Sequence, residues 1–246
     1  QVEEGAVLDA SAVEEGDGGE IVVWSDITNP DSVTSVAGML LASGGREGGD
    51  GGDIETSGFE LDVAGIDVGA KASKGEQGQW LLDPFDYTLG SSEALAIVTA
   101  LEAGTDVTIS TATSTNAVGS GSVAASGSES DTAGTITIAS PIEVSSGNAG
   151  ANLAFNADKE IIVNANISSS GSADKNLAFV AKTGVTINSG VTINWNPGLS
   201  AAVLIQTTES GGLNGGGNIV NIIGTNIAVS QVGDSEYSGA ITGPPG

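Results

Sequence analysis

The sequence predicts an all-β fold, a parallel β-helix (solenoid) in which short strands stack coil upon coil. The 246 residues include 38 Gly but only 3 Trp, 2 Tyr and 4 Phe, a composition typical of short strands separated by tight turns. Runs of about three to five residues alternate between apolar and small polar side chains. Similar runs return at intervals of about 17 to 29 residues, which fits one solenoid coil with loops of varying length.

The predicted strands follow one another along the chain. Outside the first two of the three motifs described below, they cover residues 107–109, 136–138, 161–165, 185–188, 203–205 and 219–223. Because each strand is short and hairpin signals are few, the connections are expected to carry the chain around a corner to a new face. An antiparallel sandwich is the alternative, since alternating short strands are common to both folds.

One internal echo predicts the register between neighbouring coils. The tetrapeptide NLAF occurs twice, and its Phe155 and Phe179 are 24 residues apart. A strand-like run follows each copy, and Asn164 and Asn188 occupy equivalent places in those two runs. Stacking of like residues therefore predicts an aromatic stack of Phe155 on Phe179. It also predicts an Asn164–Asn188 ladder, either internal or lining a turn.

One segment departs from the strand pattern. Residues 92–103 are predicted to form a helix of about three turns, with a serine as N-cap candidate, an acidic first turn and Gly104 at the C-terminal end. Leu95, Val98 and Leu101 form its predicted apolar stripe. We expect this stripe to cover the flank of the solenoid or an exposed strand edge.

Charge divides the predicted single solenoid of residues 1–246 into two parts. Residues 1–106 hold 22 of the 31 acidic residues, whereas residues 107–246 are rich in Ser, Thr and Asn. The formal net charge is −25, which repels phosphate backbones and argues against nucleic-acid binding. Cys and His are both absent. Disulfides, thiolate metal sites and Ser-His or Cys-His catalysis are therefore excluded, and any hydrolytic chemistry is left to carboxylates.

Three stretches of the first half occur in a specific order and spacing. They are residues 18–26 (GGEIVVWSD), residues 42–58 (ASGGREGGDGGDIETSG), and residues 80–84 (WLLDP) followed by the predicted helix and residues 104–109. Together they resemble the large exoproteins of bacterial two-partner secretion, the group that includes filamentous haemagglutinin, over about residues 5–111. The resemblance implies a right-handed parallel β-helix, export through an outer-membrane transporter partner, and a surface role in adhesion or biofilm.

Structural roles are predicted for the conspicuous residues of these motifs. Trp24 and Trp80 are interpreted as packing residues that close coils, and the glycine-rich turns as sites that permit positive φ. The turn at residues 48–53 (GGDGGD) is similar to calcium-binding turns of another β-helix class, so Asp50 and Asp53 are candidate calcium ligands. No other cofactor is predicted.

The leading functional hypothesis is a secreted or cell-surface structural protein without catalysis, acting in adhesion, biofilm or filament formation. Its expected partners are a glycan, a host or matrix surface, and copies of itself. The chain begins at Gln1 without Met or a signal peptide, so we expect a processed piece of a longer protein.

Two alternatives stay open. The first is a self-assembling filament subunit that stacks end to end through unpaired strand edges. The second is a polysaccharide-active β-helix enzyme, for which paired carboxylates would suffice. The scattered basic residues do not favour binding of an acidic polysaccharide.

Overall fold

The computed structural model describes residues 1–111, 134–145, 150–170, 175–195, 202–220 and 226–242. These residues form a β-solenoid with one helix. All strand pairings among them are parallel. The predicted parallel solenoid is confirmed, and the antiparallel sandwich is excluded because its strands would pair in the opposite sense.

The elements follow the coils in chain order. They are β1 (Val7–Asp9), β2 (Glu20–Trp24), β3 (Val33–Ser35), β4 (Met39–Leu41), β5 (Asp53–Gly58), β6 (Glu60–Asp62), β7 (Asp67–Gly69), β8 (Gln79–Pro84), β9 (Tyr87–Leu89), α1 (Ser91–Ala103), β10 (Asp106–Ser110), β11 (Ile136–Ile138), β12 (Ile142–Val144), β13 (Leu153–Ala157), β14 (Glu160–Val163), β15 (Ile167–Ser169), β16 (Leu177–Ala181), β17 (Gly184–Ile187), β18 (Thr192–Trp195), β19 (Ala202–Thr207), β20 (Leu213–Gly215), β21 (Asn218–Val220), β22 (Asn226–Ser230) and β23 (Ile241–Thr242). Each predicted strand coincides with or overlaps one of these, except that residues 221–223 lie outside the described residues.

The strands stack on three sides of the solenoid. Sheet A is continuous and has the order β2-β5-β8-β10-β13-β16-β19-β22. Side B carries two blocks, β3-β6 and β9-β11-β14-β17-β20, and side C carries β1-β4-β7 and β12-β15-β18-β21-β23. Sheet A runs without a break through β10, which contains the boundary between the acidic first part and the rest of the chain.

Period-two alternation of the strands builds the core. Along sheet A, one register column joins Ile54, Trp80, Val107, Leu153 and Leu177. Each of the five has at most 1% of its side chain exposed. Successive side chains of a strand point to opposite faces. The residues that precede and follow each column member along its own strand therefore lie on the outer side of the sheet.

The helix α1 occupies a strand position in the stack. It follows β9 and precedes β10, at the point in the coil where the other coils place a side C strand, and it contacts both β7 and β12. The N–H of Ala70, just after β7, donates to Oγ1 of Thr105 (2.8 Å). On the other side, the N–H of Ser145 donates to Oε1 of Glu102 (2.9 Å). The helix therefore covers one edge of each side C block, as the sequence predicts for an unprotected edge.

The buried face of α1 differs from the predicted stripe. Leu95 is 67% exposed, whereas Ala94, Ile97 and Ala100 are buried beside Leu101. A helix that fills a strand position must approach its neighbours closely, so small alanines take much of the contact. The N-cap residue of the helix is Gly90, which has no side chain to form a capping bond, so the predicted serine N-cap is wrong. The predicted C-terminal glycine is confirmed, because Gly104 adopts φ 91°.

Close approach between coils also explains the glycine-rich turns. Gly49 has φ +124°, as predicted, and a Cβ placed on it would lie 1.9 Å from the carbonyl oxygen of Gly16. Gly51 has no positive φ, but a Cβ there would lie 1.9 Å from the carbonyl oxygen of Ala70. Glycine is therefore needed at Gly51 for spacing rather than for backbone conformation. Within the described ranges, no helix has both the length and the apolar character to cross a membrane.

Candidate binding surfaces

The three motifs of the first half stack directly on one another. The first motif forms β2, the second ends in β5, and the third begins in β8 and continues through α1 into β10. Their register places Ile21, Ile54 and Trp80 in one inward column of sheet A. The spacing of the motifs along the sequence thus corresponds to one coil each, and their shared feature is core packing.

The two predicted tryptophans differ in position. Trp80 is fully buried, and its Nε1 donates to Oγ1 of Thr56 (3.0 Å). Trp24 instead pairs with Ser57, which in turn pairs with Asp83, and Trp24 is 42% exposed. It follows the inward-facing Val23 directly and therefore points outward. Trp80 is thus a packing residue of the core, as predicted, whereas Trp24 lies on the outer face of sheet A. That either residue closes a coil stays a prediction.

Both predicted stacks between coils are present. The rings of Phe155 and Phe179 lie with their centroids 5.3 Å apart at 8°, and both side chains are fully buried. The Nδ2 of Asn188 donates to Oδ1 of Asn164, and both side chains are exposed. The asparagine ladder therefore lines a turn rather than the interior.

A second ladder at the entrance to sheet A was not predicted. Asn152 donates from its N–H and Nδ2 to the carboxylate of Asp106 (2.8 and 2.9 Å). Asn176 donates from its N–H and Nδ2 to Oδ1 of Asn152 (3.0 and 2.9 Å). Burial raises the pKa of Asp106, and the two bonds from Asn152 oppose that rise. This ladder could have been predicted, because Asn152 and Asn176 are the first residues of the two NLAF copies.

The candidate calcium ligands Asp50 and Asp53 lie on different parts of the coil. The N–H of Asp50 donates to Oδ1 of Asp17 (2.8 Å), and Oδ1 of Asp50 accepts the N–H of Glu76 (2.8 Å). Asp53 is the first residue of β5. The acidic side chains of successive turns thus accept backbone bonds from the next coil. No group of three or more acidic residues able to hold a metal ion occurs within the described ranges, and the calcium site stays a prediction.

An outer acidic pair lies on sheet A. Glu55 and Asp83 point away from the core, yet are only 4% and 8% exposed, beside the buried Leu81. The hydroxyl of Ser57 donates to Oε1 of Glu55 (2.6 Å). Burial, followed by the charge of Glu55, raises the pKa of Asp83 to about 7. The pair is too buried for a polymer chain to reach, which does not suit polysaccharide cleavage.

Side B presents a regular outward row of side chains. Parallel pairing aligns Thr88, Thr137, Ile162, Thr186 and Asn214 on five successive strands. All five are partly or fully exposed, and neighbouring strands lie about 4.8 Å apart. We call these five residues the threonine row. Four of the five carry a hydroxyl or an amide group, and a regular row of such groups can contact a repeating surface at several points at once.

Comparison of the chain with known protein families finds no match. Comparison with curated proteins likewise finds no relative.

Proposed function

We propose that this chain is a non-catalytic segment of a secreted or cell-surface adhesive protein of the filamentous haemagglutinin type. The observation that carries the proposal is the threonine row, which a rigid stack of parallel strands holds at regular spacing. The solenoid serves as a stiff spacer, and the row contacts a glycan or matrix surface. The three stacked motifs support export through an outer-membrane transporter partner, because they carry the resemblance to exoproteins of two-partner secretion.

Disruption of the threonine row is expected to lower adhesion at least about tenfold, because two charges in the row prevent close approach of a surface and leave buried polar groups unpaired. The variant is Thr137→Glu with Thr186→Glu, and the measurement is binding of the purified chain to a glycan array, to matrix proteins and to cells. Ser168→Glu adds charge on the outward face of β15, on side C, and is the control. Absence of binding by the unaltered chain would contradict the proposal, as would an equal loss in the control.

A filament subunit is the second candidate, and one observation favours it. Large exposed apolar side chains concentrate in the first and last described coils. They are Val7, Leu8, Val13, Trp24 and Val33 in the first, and Val229, Val232 and Ile241 in the last, while Leu95 is the single further one among the described residues. Within the described residues, β2 and β22 each have one unpaired edge, and these edges lie in the same two coils. Head-to-tail stacking of two copies would cover both.

Negative charges introduced on the first coil are expected to abolish head-to-tail stacking, because stacking would bury them without partners. Val7→Asp with Val13→Asp should give a monomer by light scattering at concentrations where the unaltered chain forms rods visible by electron microscopy. Leu95→Asp adds charge to an apolar residue that is equally exposed but lies on the flank, and it should leave assembly unchanged. An unaltered chain that stays monomeric as its concentration rises would exclude this function.

A further inference from the structure

Side B of the solenoid opens between its two blocks of strands. The block β3-β6 ends at β6, the next block begins at β9, and no pairing joins these two strands. Just before the two strands, the rings of Phe59 and Phe85 stack with centroids 4.5 Å apart at 21°. The two coils are therefore in contact at the aromatic pair and separate immediately after it.

The separation creates a cleft of about 330 Å³. Beyond Phe59 it is lined by Glu60, Leu61, Asp86, Tyr87, Thr88 and Glu93. The carboxylates come from three elements, since Glu60 belongs to β6, Asp86 precedes β9 and Glu93 lies in the first turn of α1. Among the described residues, no lysine or arginine lines the cleft. Its charge therefore favours a positively charged occupant.

Backbone groups of both strand edges also face the cleft. The N–H of Glu60 donates to the coil before it, and the N–H of Tyr87 donates to the coil after it. Along a parallel strand the peptide groups of successive residues point to opposite sides. The N–H and C=O groups of Leu61 and Thr88 therefore point towards each other across the opening, and each carbonyl offers a hydrogen-bond acceptor to a ligand.

Tyr87, one of the residues that line the cleft, carries a buried hydroxyl with no hydrogen-bond partner among the described residues. Its side chain is 5% exposed, and within the described part of the chain the buried oxygen neither donates nor accepts a bond. Burial, followed by the charges of Glu93 and Asp62, raises the pKa of Tyr87, so the phenol stays protonated. Buried hydroxyls are normally hydrogen-bonded. A bound ligand would supply the missing partner.

The chemistry of these groups favours an organic cation over a metal ion. The carboxylates do not converge on one point as a metal site would require, because no set of three acids able to hold a metal occurs among the described residues. An ammonium group has three donors and no acceptor. Those donors match the Tyr87 oxygen, an edge carbonyl and a carboxylate such as Glu93. We propose that this cleft binds a primary ammonium group, carried by a free amine or by a lysine side chain of a partner peptide.

Titration of the full chain with butylammonium chloride, and separately with N-acetyl-lysine methylamide, tests the site. The amide signals of Leu61 and Thr88 should shift in NMR spectra, with saturation at one site. Tyr87→Phe and Glu93→Gln should each weaken the binding about fivefold to tenfold, because each removes one bond to the ammonium. The probe that binds more tightly identifies the source of the group.

Two controls separate the site from general attraction to an acidic protein. Glu143→Gln removes one exposed carboxylate on β12, away from the cleft, and should leave the affinity unchanged. Potassium chloride at the same ionic strength should not shift the Leu61 and Thr88 signals. Tyr87→Phe keeps the buried ring and removes only an unbonded hydroxyl, so its circular dichroism should match that of the unaltered chain. Equal affinities for the unaltered chain and both cleft variants, or equal shifts with potassium, would overturn the proposal.

Discussion

Replacement of Asp83 by Asn is expected to raise the free energy of unfolding by about 4 kcal/mol at about pH 8 and to leave it nearly unchanged at about pH 4. Burial and the neighbouring charge of Glu55 raise the pKa of Asp83 from 3.8 to about 7. Each pKa unit corresponds to about 1.4 kcal/mol. Folding of the unaltered chain therefore costs about 4 kcal/mol more once Asp83 must be ionised.

The direction of the pH dependence follows from proton binding in the two states. Below pH 3.8 the Asp83 carboxyl is protonated in the folded and the unfolded chain, so its ionisation changes nothing. Between pH 3.8 and about 7 the unfolded chain releases the proton while the folded chain keeps it, and stability falls as the pH rises. Above that range the loss is complete. Asn cannot ionise and avoids this loss.

Urea unfolding at about pH 4, 6 and 8 measures the effect as the difference between the variant and the unaltered chain. Asp67→Asn is the matched control, because it removes the same formal charge from an exposed position on β7. Since the chain carries a net charge of −25, loss of any one negative charge relieves some repulsion. A gain of equal size in both variants would assign the effect to overall charge rather than to the buried position of Asp83.

The features that sequence could predict are those that follow from local periodicity. The strands were predictable because inward apolar residues alternate with small polar ones. The Phe155–Phe179 stack and the Asn164–Asn188 ladder were predictable because an echo of 24 residues fixes the register between two coils. The helix was predictable in extent, since acidic residues and glycine mark its ends.

Features that depend on neighbouring coils with no repeated sequence between them were not predicted. The face of α1 is set by its position between β7 and β12, which the helix's own apolar pattern does not reveal. The Glu55–Asp83 pair joins residues from different coils on the outer side of sheet A. The cleft beside Tyr87 exists because β6 and β9 fail to pair, although both have ordinary strand sequences. The exposure of Trp24 could have been predicted from the sequence, because Trp24 directly follows the inward-facing Val23 and therefore faces outward.

Trp80→Ala is expected to lower the free energy of unfolding by about 3–5 kcal/mol, the range for removal of a large aromatic side chain from a packed core. The indole is fully buried, and its Nε1–H is bonded to Thr56, which is also fully buried. Alanine leaves a cavity and removes the bond that the Thr56 hydroxyl accepts, so that this buried hydroxyl keeps only its long bond to the carbonyl oxygen of Leu81 (3.5 Å). Urea unfolding measures the loss. Trp24→Ala, at a position that is 42% exposed, should cost about 1 kcal/mol or less.

Because of the position of Trp80 in the stack, Trp80→Ala is expected to destabilise the neighbouring coils more than the rest of the solenoid. Trp80 lies between Ile54 of the preceding coil and Val107 of the following one. In a solenoid each coil is stabilised mainly by its nearest neighbours. The cavity therefore weakens the junction between the acidic first coils and the coils that follow α1. Hydrogen exchange should accelerate in β5, β8 and β10 more than in β16 and β19. Uniform acceleration along sheet A, or an equal effect of Trp24→Ala, would show that this junction does not depend on the buried indole.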